Sequence, residues 1–304
     1  MGKSRRSING TDRGVNSQPK ETPEEFQNRV DLAESLMTVE MFMMDKGKLS
    51  KPQIKRLLNA VMDENIDYEG LVQKNGAYFL KFNEKLVSAD GTEHTHSLYF
   101  NTASYKNMYK KDAVISIEEM MEAYHNIPEF NRNMAYNYYF GQTKWGGCSS
   151  LGGVFRPSDK SVSIGTGAFS NKNRSSKDWI KNVLYHENAH ASDYMKIGSS
   201  MTHLSKDSPI FKNIMSNNKA SAYSESYGGW RYYTESLAEA VAVTRMHRLY
   251  GNDHAKICDP EKAYVQGNEI DYKSWAKRYP ELAQFANDYI DCDSEAKLRG
   301  LFEV

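Results

Sequence analysis

The chain has 304 residues, which is enough for one large domain or two ordinary ones. Lysine and arginine together number 39, as do aspartate and glutamate, so the formal net charge of zero argues against a nucleic-acid partner. Hydrophobic residues make up 39% and aromatic residues 12% of the chain, which is typical of a globular protein and excludes a disordered one.

Three widely separated cysteines, Cys148, Cys258 and Cys292, indicate neither a disulfide framework nor a cysteine zinc site. They favour reduced thiols in a cytosol-like compartment. No run approaches the roughly 20 apolar residues of a membrane span, and residues 1–20 lack the apolar core of a secretion signal. We therefore expect a cytoplasmic protein with no membrane partner, although packaging into a particle would leave no such signal.

Residues 1–20 are polar and basic, and we predict that they form a flexible tail. A solvated tail is the simpler interpretation, and contact with nucleic acid or an acidic partner is the alternative. Residues 21–145 are predicted to form a mostly helical region with one β-hairpin. Within it, helix starts are indicated at Thr22, Ser50 and Ser116, each a hydroxyl residue followed by helix-favouring acidic or amide residues.

The hairpin is predicted from two β-rich segments, Ala77–Phe82 and Thr95–Phe100, with a turn signal at Asp90-Gly91 between them. His94 and His96 would share one face of the second strand. Two such histidines can bind a metal ion, but an exposed strand face is the interpretation that we favour.

A second domain is predicted over residues 146–304, where the sequence becomes rich in glycine. Gly152–Phe155 and Ser161–Gly165 are predicted strands on either side of a turn at Arg156–Lys160. The aromatic segment Tyr136–Phe140 is predicted to belong to the core. We expect Ser161–Gly165 to be the sheet edge to which an extended peptide could add as a further strand.

The segment Val183–Tyr194 contains His186-Glu187-x-x-His190. Apolar residues at three- and four-residue spacing predict a helix that begins after a serine cap and stops near Gly198. On such a helix His186 and His190 project from one face, one turn apart, and two imidazoles at that separation can hold one zinc ion. Glu187 can act as a general base that takes a proton from water at the metal.

A third, acidic ligand is expected on a second helix, which the apolar spacing of Arg231–Leu249 predicts. Glu235 and Glu239 lie one turn apart on it, so one would bind the metal and the other would hydrogen-bond a ligand or fix a neighbouring residue. Exposed carboxylates are the alternative, but the small apolar residues around them favour a buried helix whose carboxylates need partners. Asp193 shares the face of the two histidines, and its short side chain favours a hydrogen bond to a ligand over metal binding.

These segments resemble the gluzincin-type peptidase domain of anthrax lethal factor and its relatives, which include peptidase modules of phage head-associated proteins. The resemblance covers roughly residues 150–292 and says nothing about the first 140 residues. Its motifs, in chain order, are His186-Glu187-x-x-His190-Ala191-x-Asp193, Glu235-x-x-Ala238-Glu239-Ala240, and Pro280 followed by Phe285, Asn287, Asp288 and Ile290. The chain departs from the family at Asn188-Ala189, where a bulky apolar residue and glycine are common.

The resemblance implies an α+β, zincin-like fold over residues 146–304, in which a small twisted sheet packs on two metal-bearing helices. It implies that Glu235 is the third zinc ligand, with Asp193 and Glu239 beside the metal set. The family also has a tyrosine about two turns before its third ligand, which is thought to steady the oxyanion. Tyr227 is the nearest equivalent, one residue further away. Its rivals are Tyr223, Tyr232 and Tyr233.

We therefore expect a zinc-dependent metallopeptidase that hydrolyses peptide bonds in a protein or peptide substrate. The alternative is a structural or virion-associated protein that keeps the fold with weak, latent or lost proteolytic activity. The phage-like resemblance and the basic tail support this alternative, and they extend the expected location from the cytoplasm to a phage particle and the expected partners to a larger assembly.

Overall fold

The computed structural model describes residues 22–23, 66–87, 91–101, 104, 115–141, 152–170, 176–197, 212, 229–260 and 268–303. Strands in these ranges are β1 (Ile66–Lys74), β2 (Ala77–Val87), β3 (Glu93–Asn101), β4 (Asn137–Phe140), β5 (Gly153–Arg156), β6 (Ser161–Ile164), β7 (Lys256–Cys258) and β8 (Glu269–Asp271). The helices are α1 (Ile117–His125), α2 (Glu129–Arg132), α3 (Thr166–Ser170), α4 (Ser176–Ile197), α5 (Gly229–Tyr250), α6 (Tyr272–Arg278), α7 (Pro280–Ile290) and α8 (Glu295–Glu303). The predicted α+β class is confirmed.

One six-stranded mixed sheet has the order β1-β2-β3-β4-β6-β5. β1, β2 and β3 pair antiparallel, β3-β4 and β4-β6 pair parallel, and β5 returns antiparallel to β6. The predicted hairpin is confirmed, because Leu80 of β2 lies opposite Phe100 of β3. Gly91 in its connection has a φ of 81°, a conformation that glycine adopts without the steric cost of a Cβ.

The edge predicted at Ser161–Gly165 is wrong. β6 lies between β4 and β5 and pairs with both, so its hydrogen-bonding groups are used on both sides. β5 is the outer strand instead. The pattern of a hairpin does not say which of its two strands pairs with a distant strand, and here the second one contacts β4.

The sheet crosses the domain boundary predicted between residues 145 and 146, because β4 pairs with β6. One hydrophobic cluster includes Phe100 and Tyr138 before this boundary and Leu184 and Leu237 after it. Strands also predominate over helices in the described residues between 66 and 141. The tail and, apart from Thr22 and Pro23, the two helices predicted before residue 64 lie outside the described residues.

The predicted capping box before α1 is confirmed. The backbone N–H of Glu119 donates to Ser116 Oγ over 3.1 Å, and the Ser116 N–H donates to Glu119 Oε2 over 3.0 Å. These two bonds satisfy donors that a helix start otherwise leaves without intrahelical partners. Met120 and Tyr124 of α1 are fully buried in the core, and this burial holds the helix in its place.

The two long helices lie together beside the sheet. α4 contacts β5 and β6 on one side and α5 on another, and α7 also packs against α5. α5 ends at Tyr250, one residue beyond the predicted range, and the next residue, Gly251, has a φ of 88° and donates its backbone N–H to His247 O over 3.0 Å. This packing brings the predicted motif helix and the predicted third-ligand helix into direct contact.

Each helix in the described ranges is either too short or too polar to cross a membrane.

The exposed strand face predicted for His94 and His96 is wrong for His96, which is fully buried. His96 Nδ1 lies 2.7 Å from Tyr124 Oη, and Tyr124 donates in turn to the buried carboxylate of Glu84. Because a hydroxyl has one proton to donate, Nδ1 of His96 donates to Tyr124. His125 Nε2 lies 3.1 Å from the other oxygen of Glu84. Strand periodicity predicts that the two histidines share one face of the strand. It does not predict that α1 covers His96 on that face.

Acid should destabilise the fold through His96. Burial is the main cause that lowers the pKa of His96 to about 4, against opposition from Glu84 and with help from Arg132 and His94. The unfolded ring, with an ordinary pKa of 6.5, therefore takes up a proton that the folded ring does not. This group's contribution to the free energy of unfolding is complete above pH 6.5 and is lost as the pH falls to about 4, by at most about 3 kcal/mol.

The variant His96→Gln keeps a donor for Tyr124 and should weaken this dependence on pH. The measurement is the free energy of unfolding in urea between about pH 7 and pH 4. His94→Gln, on the same strand but only partly buried, is the control and should keep most of the wild-type slope, because His94 has the smallest of the named effects on the pKa of His96. Equal slopes for wild type and His96→Gln would remove His96 as the cause.

Candidate metal centre

Three side chains converge where α4 and α5 pack together. His186 Nε2 lies 3.1 Å from His190 Nε2 and 3.1 Å from Glu235 Oε2, and His190 Nε2 lies 3.5 Å from the same oxygen. The three residues each offer a ligand atom within 4.8 Å of the others, and they could hold a metal ion. The structure thus brings together the two histidines of the motif and the glutamate expected to join them.

The local structure explains this convergence. Residues four apart on a helix lie one above the other, and the rings of His186 and His190 meet nearly perpendicular, with centroids 4.8 Å apart. Glu235 comes from α5, whose flank is buried by Leu237, Ala238 and other apolar side chains. The three side chains are 10 to 19% exposed, so the centre is largely shielded from solvent but not closed to it.

The electrostatics of the centre favour a cation. Burial disfavours a charged His186, but Glu235, Glu187 and Glu239 overcome it and raise the pKa of His186 to about 9. Burial likewise raises the pKa of Glu235, but hydrogen bonds to both histidines hold it well below its usual range. Three carboxylates around two imidazoles create a negative potential at the point where the ligand atoms meet.

Glu187 differs from the other carboxylates in its surroundings. It is buried, and burial raises its pKa above the ordinary value, although His186 and His190 act in the opposite direction. A backbone hydrogen bond from Phe155 of β5 also reaches it. A carboxylate with a raised pKa is a stronger base, which suits the role of a proton acceptor expected from the sequence.

Of the remaining predicted residues, Glu239 is the one whose side chain the structure describes. Glu239 is buried one turn beyond Glu235 and contributes to the potential at His186. Asp193 lies on α4, but its side chain is outside the described part of the chain. Tyr227 lies outside the described residues altogether, so its expected contact with an oxyanion stays a prediction.

Among the alternatives to Tyr227, Tyr233 is fully buried. Tyr223 and the side chain of Tyr232 are not among the described parts of the chain.

Two contacts that the sequence pattern does not indicate hold the motif helix in place. Asn188 Nδ2 lies 3.2 Å both from the backbone oxygen of Asn131 and from Tyr138 Oη, and it donates to each. On the next residue, the carbonyl of Ala189 accepts from Tyr289 Oη over 3.3 Å. A polar residue on the apolar side of a helix was the available signal, because buried amides need partners.

Comparisons of the chain with protein-family models, curated proteins and solved structures found no match. A functional conclusion therefore depends on the geometry and chemistry of the site.

The metal-binding set can be tested with Zn²⁺ as the probe. We expect one equivalent to bind, and His190→Ala and Glu235→Ala to weaken binding by more than about 100-fold, beyond the range typical of residues that only support a ligand. Competition with a chromophoric chelator measures the affinity. His254→Ala is the control, because this exposed histidine pairs with Asp178 instead, at 3.0 Å. Wild-type affinity in Glu235→Ala would remove Glu235 from the set.

Proposed function

We propose that the chain is a zinc-dependent metallopeptidase of zincin-like fold. The separations of the three ligand atoms carry this proposal. Zinc bonds of about 2.0–2.1 Å at tetrahedral angles place neighbouring ligand atoms about 3.3 Å apart. The distances among His186, His190 and Glu235 are 3.1, 3.1 and 3.5 Å. Two imidazole nitrogens and one carboxylate oxygen also form a donor set typical of catalytic zinc, which keeps a fourth position for water or substrate.

Each residue of the proposed site would have a distinct role. His186 and His190 through Nε2, with Glu235 through Oε2, would hold the ion. When bound, zinc supplies a Lewis acid that polarises a peptide carbonyl and makes water more acidic. Glu187, next to the first ligand on the same helix, would accept a proton from the attacking water and return it to the leaving amine. Its burial makes the carboxylate a better base than one in water.

We place the substrate along the outer edge of β5. Gly165 N–H donates to Gly152 O over 2.8 Å, so these two residues form a hydrogen-bonded pair between the strands. Since the pairs alternate along an antiparallel ladder, the backbone groups of Gly153 and Phe155 point away from β6. That is the side on which Phe155 bonds Glu187. The Phe155 N–H is already bonded to Glu187, so an extended peptide would pair with this edge at Gly153 and would there pass the proposed base. The substrate class would be unfolded or extended protein segments.

The variant Glu187→Gln tests the chemistry. It keeps the shape of the side chain and removes the base, so turnover of cleaved peptides should fall at least about 100-fold while the zinc content stays at the wild-type level. Cleavage of a diverse peptide library, followed by mass spectrometry, is the measurement. The exposed Glu122→Gln is the control and should leave cleavage unchanged.

Two outcomes would count against the proposal. Undiminished cleavage by Glu187→Gln would reject the assigned base. A zinc-loaded wild type that leaves every peptide intact would favour the alternative of a structural, particle-associated protein.

A further inference from the structure

Gly153, the first residue of β5, lies unusually close to the motif helix. A Cβ added to it would lie 2.6 Å from Cγ1 of Val183, 2.6 Å from Cγ of Glu187 and 2.7 Å from Oε1 of Glu187. Non-bonded carbon atoms are most favourable at about 3.5–4.0 Å, so these contacts could not be accommodated without movement. The φ of Gly153 is not positive, so close approach, and not an unusual backbone conformation, is what requires glycine here.

A second contact fastens the same carboxylate to the same strand. The backbone N–H of Phe155 points away from β6 and donates to Glu187. The side chain of Phe155 packs against the main hydrophobic cluster, which holds β5 in its position beside α4. Glu187 therefore lies close against Gly153, which has no side chain, and accepts a hydrogen bond from the Phe155 backbone.

We propose that Gly153 is a positioning residue, which lets β5 approach α4 so that the Phe155 backbone fixes the Glu187 carboxylate. The inference rests on the proposed function, because it concerns the base of that same site. A methyl group at residue 153 would displace the carboxylate or the strand, and its nearest atoms do not include the rings of His186 and His190. The expected defect is therefore in the placement of the base, not in metal binding.

The neighbouring glycine offers a matched control. A Cβ on Gly152 would lie 3.4 Å from Cζ2 of Trp179 and 3.5 Å from Cγ2 of Val183, which is ordinary van der Waals contact. Gly152→Ala thus makes the same chemical change one residue away, without meeting Glu187. Both variants add one methyl group to the same end of β5, so a difference between them reports the contact at Gly153.

Amide hydrogen exchange of the full chain, followed by NMR, tests the contact independently of activity. The Phe155 amide is on the outer edge of the sheet and should be protected through Glu187 in wild type and in Gly152→Ala. In Gly153→Ala and in Glu187→Ala it should exchange at least about 10-fold faster. Glu187→Ala removes the acceptor without crowding, so it decides the question if Gly153→Ala fails to fold. An unprotected Phe155 amide in wild type, or equal protection in Glu187→Ala, would overturn the inference.

Kinetics on a cleaved library peptide then tests positioning. Gly153→Ala should lower kcat roughly 10- to 100-fold, as misplaced catalytic groups do, with zinc content unchanged, and Gly152→Ala should match wild type. Faster exchange in Gly153→Ala with an unchanged kcat would overturn the positioning role. If the exchange pattern is as expected but the wild type cleaves no peptide, the fixing of Glu187 by β5 is supported and the proposed peptidase function is rejected.

Discussion

The packing of α4 against α5 is the contact on which the candidate metal centre depends. Helix periodicity alone aligns His186 and His190, but the third ligand atom, on Glu235, arrives only because the two helices pack together. The same contact gathers several carboxylates around two imidazoles in a largely buried place. Removing charges from water costs free energy, which mutual attraction offsets only in close geometry. The hydrophobic packing around the site must therefore hold the helices in a defined position.

Buried polar bonds help to fix that position. Asn188 ties the motif helix to α2 and β4, and Tyr289 ties it to α7 through the carbonyl of Ala189. Tyr138 donates onward to the backbone of Arg132, so sheet, short helix and motif helix share one hydrogen-bonded connection. Unlike apolar contacts, these bonds are directional, and a shift of α4 would leave buried donors without acceptors. The helix that carries the histidines is thus anchored on two sides.

Strand order also determines what the site can do. With β6 inside the sheet, the outer strand is β5, and its residues Gly153 and Phe155 lie beside Glu187. Gly153 allows β5 to approach α4 closely, and the Phe155 backbone bonds the Glu187 carboxylate. The sheet edge and the proposed base are therefore held together directly. A peptide bound to that edge, as proposed, would lie on the strand to which the Glu187 carboxylate is bonded.

The sequence by itself determined the local parts of this protein: the hairpin of β2 and β3, the capping of α1, the extent of α4 and α5, and the pairing of His186 with His190 on one helix face. These follow from spacing, caps and turns, which act over a few residues. Tertiary structure decided the rest. It buried His96, continued the sheet across the predicted domain boundary and made β5 the edge. Each of these features depends on contacts between residues that are distant in the sequence. The spacing of side chains along one helix or strand does not indicate which other element will cover it.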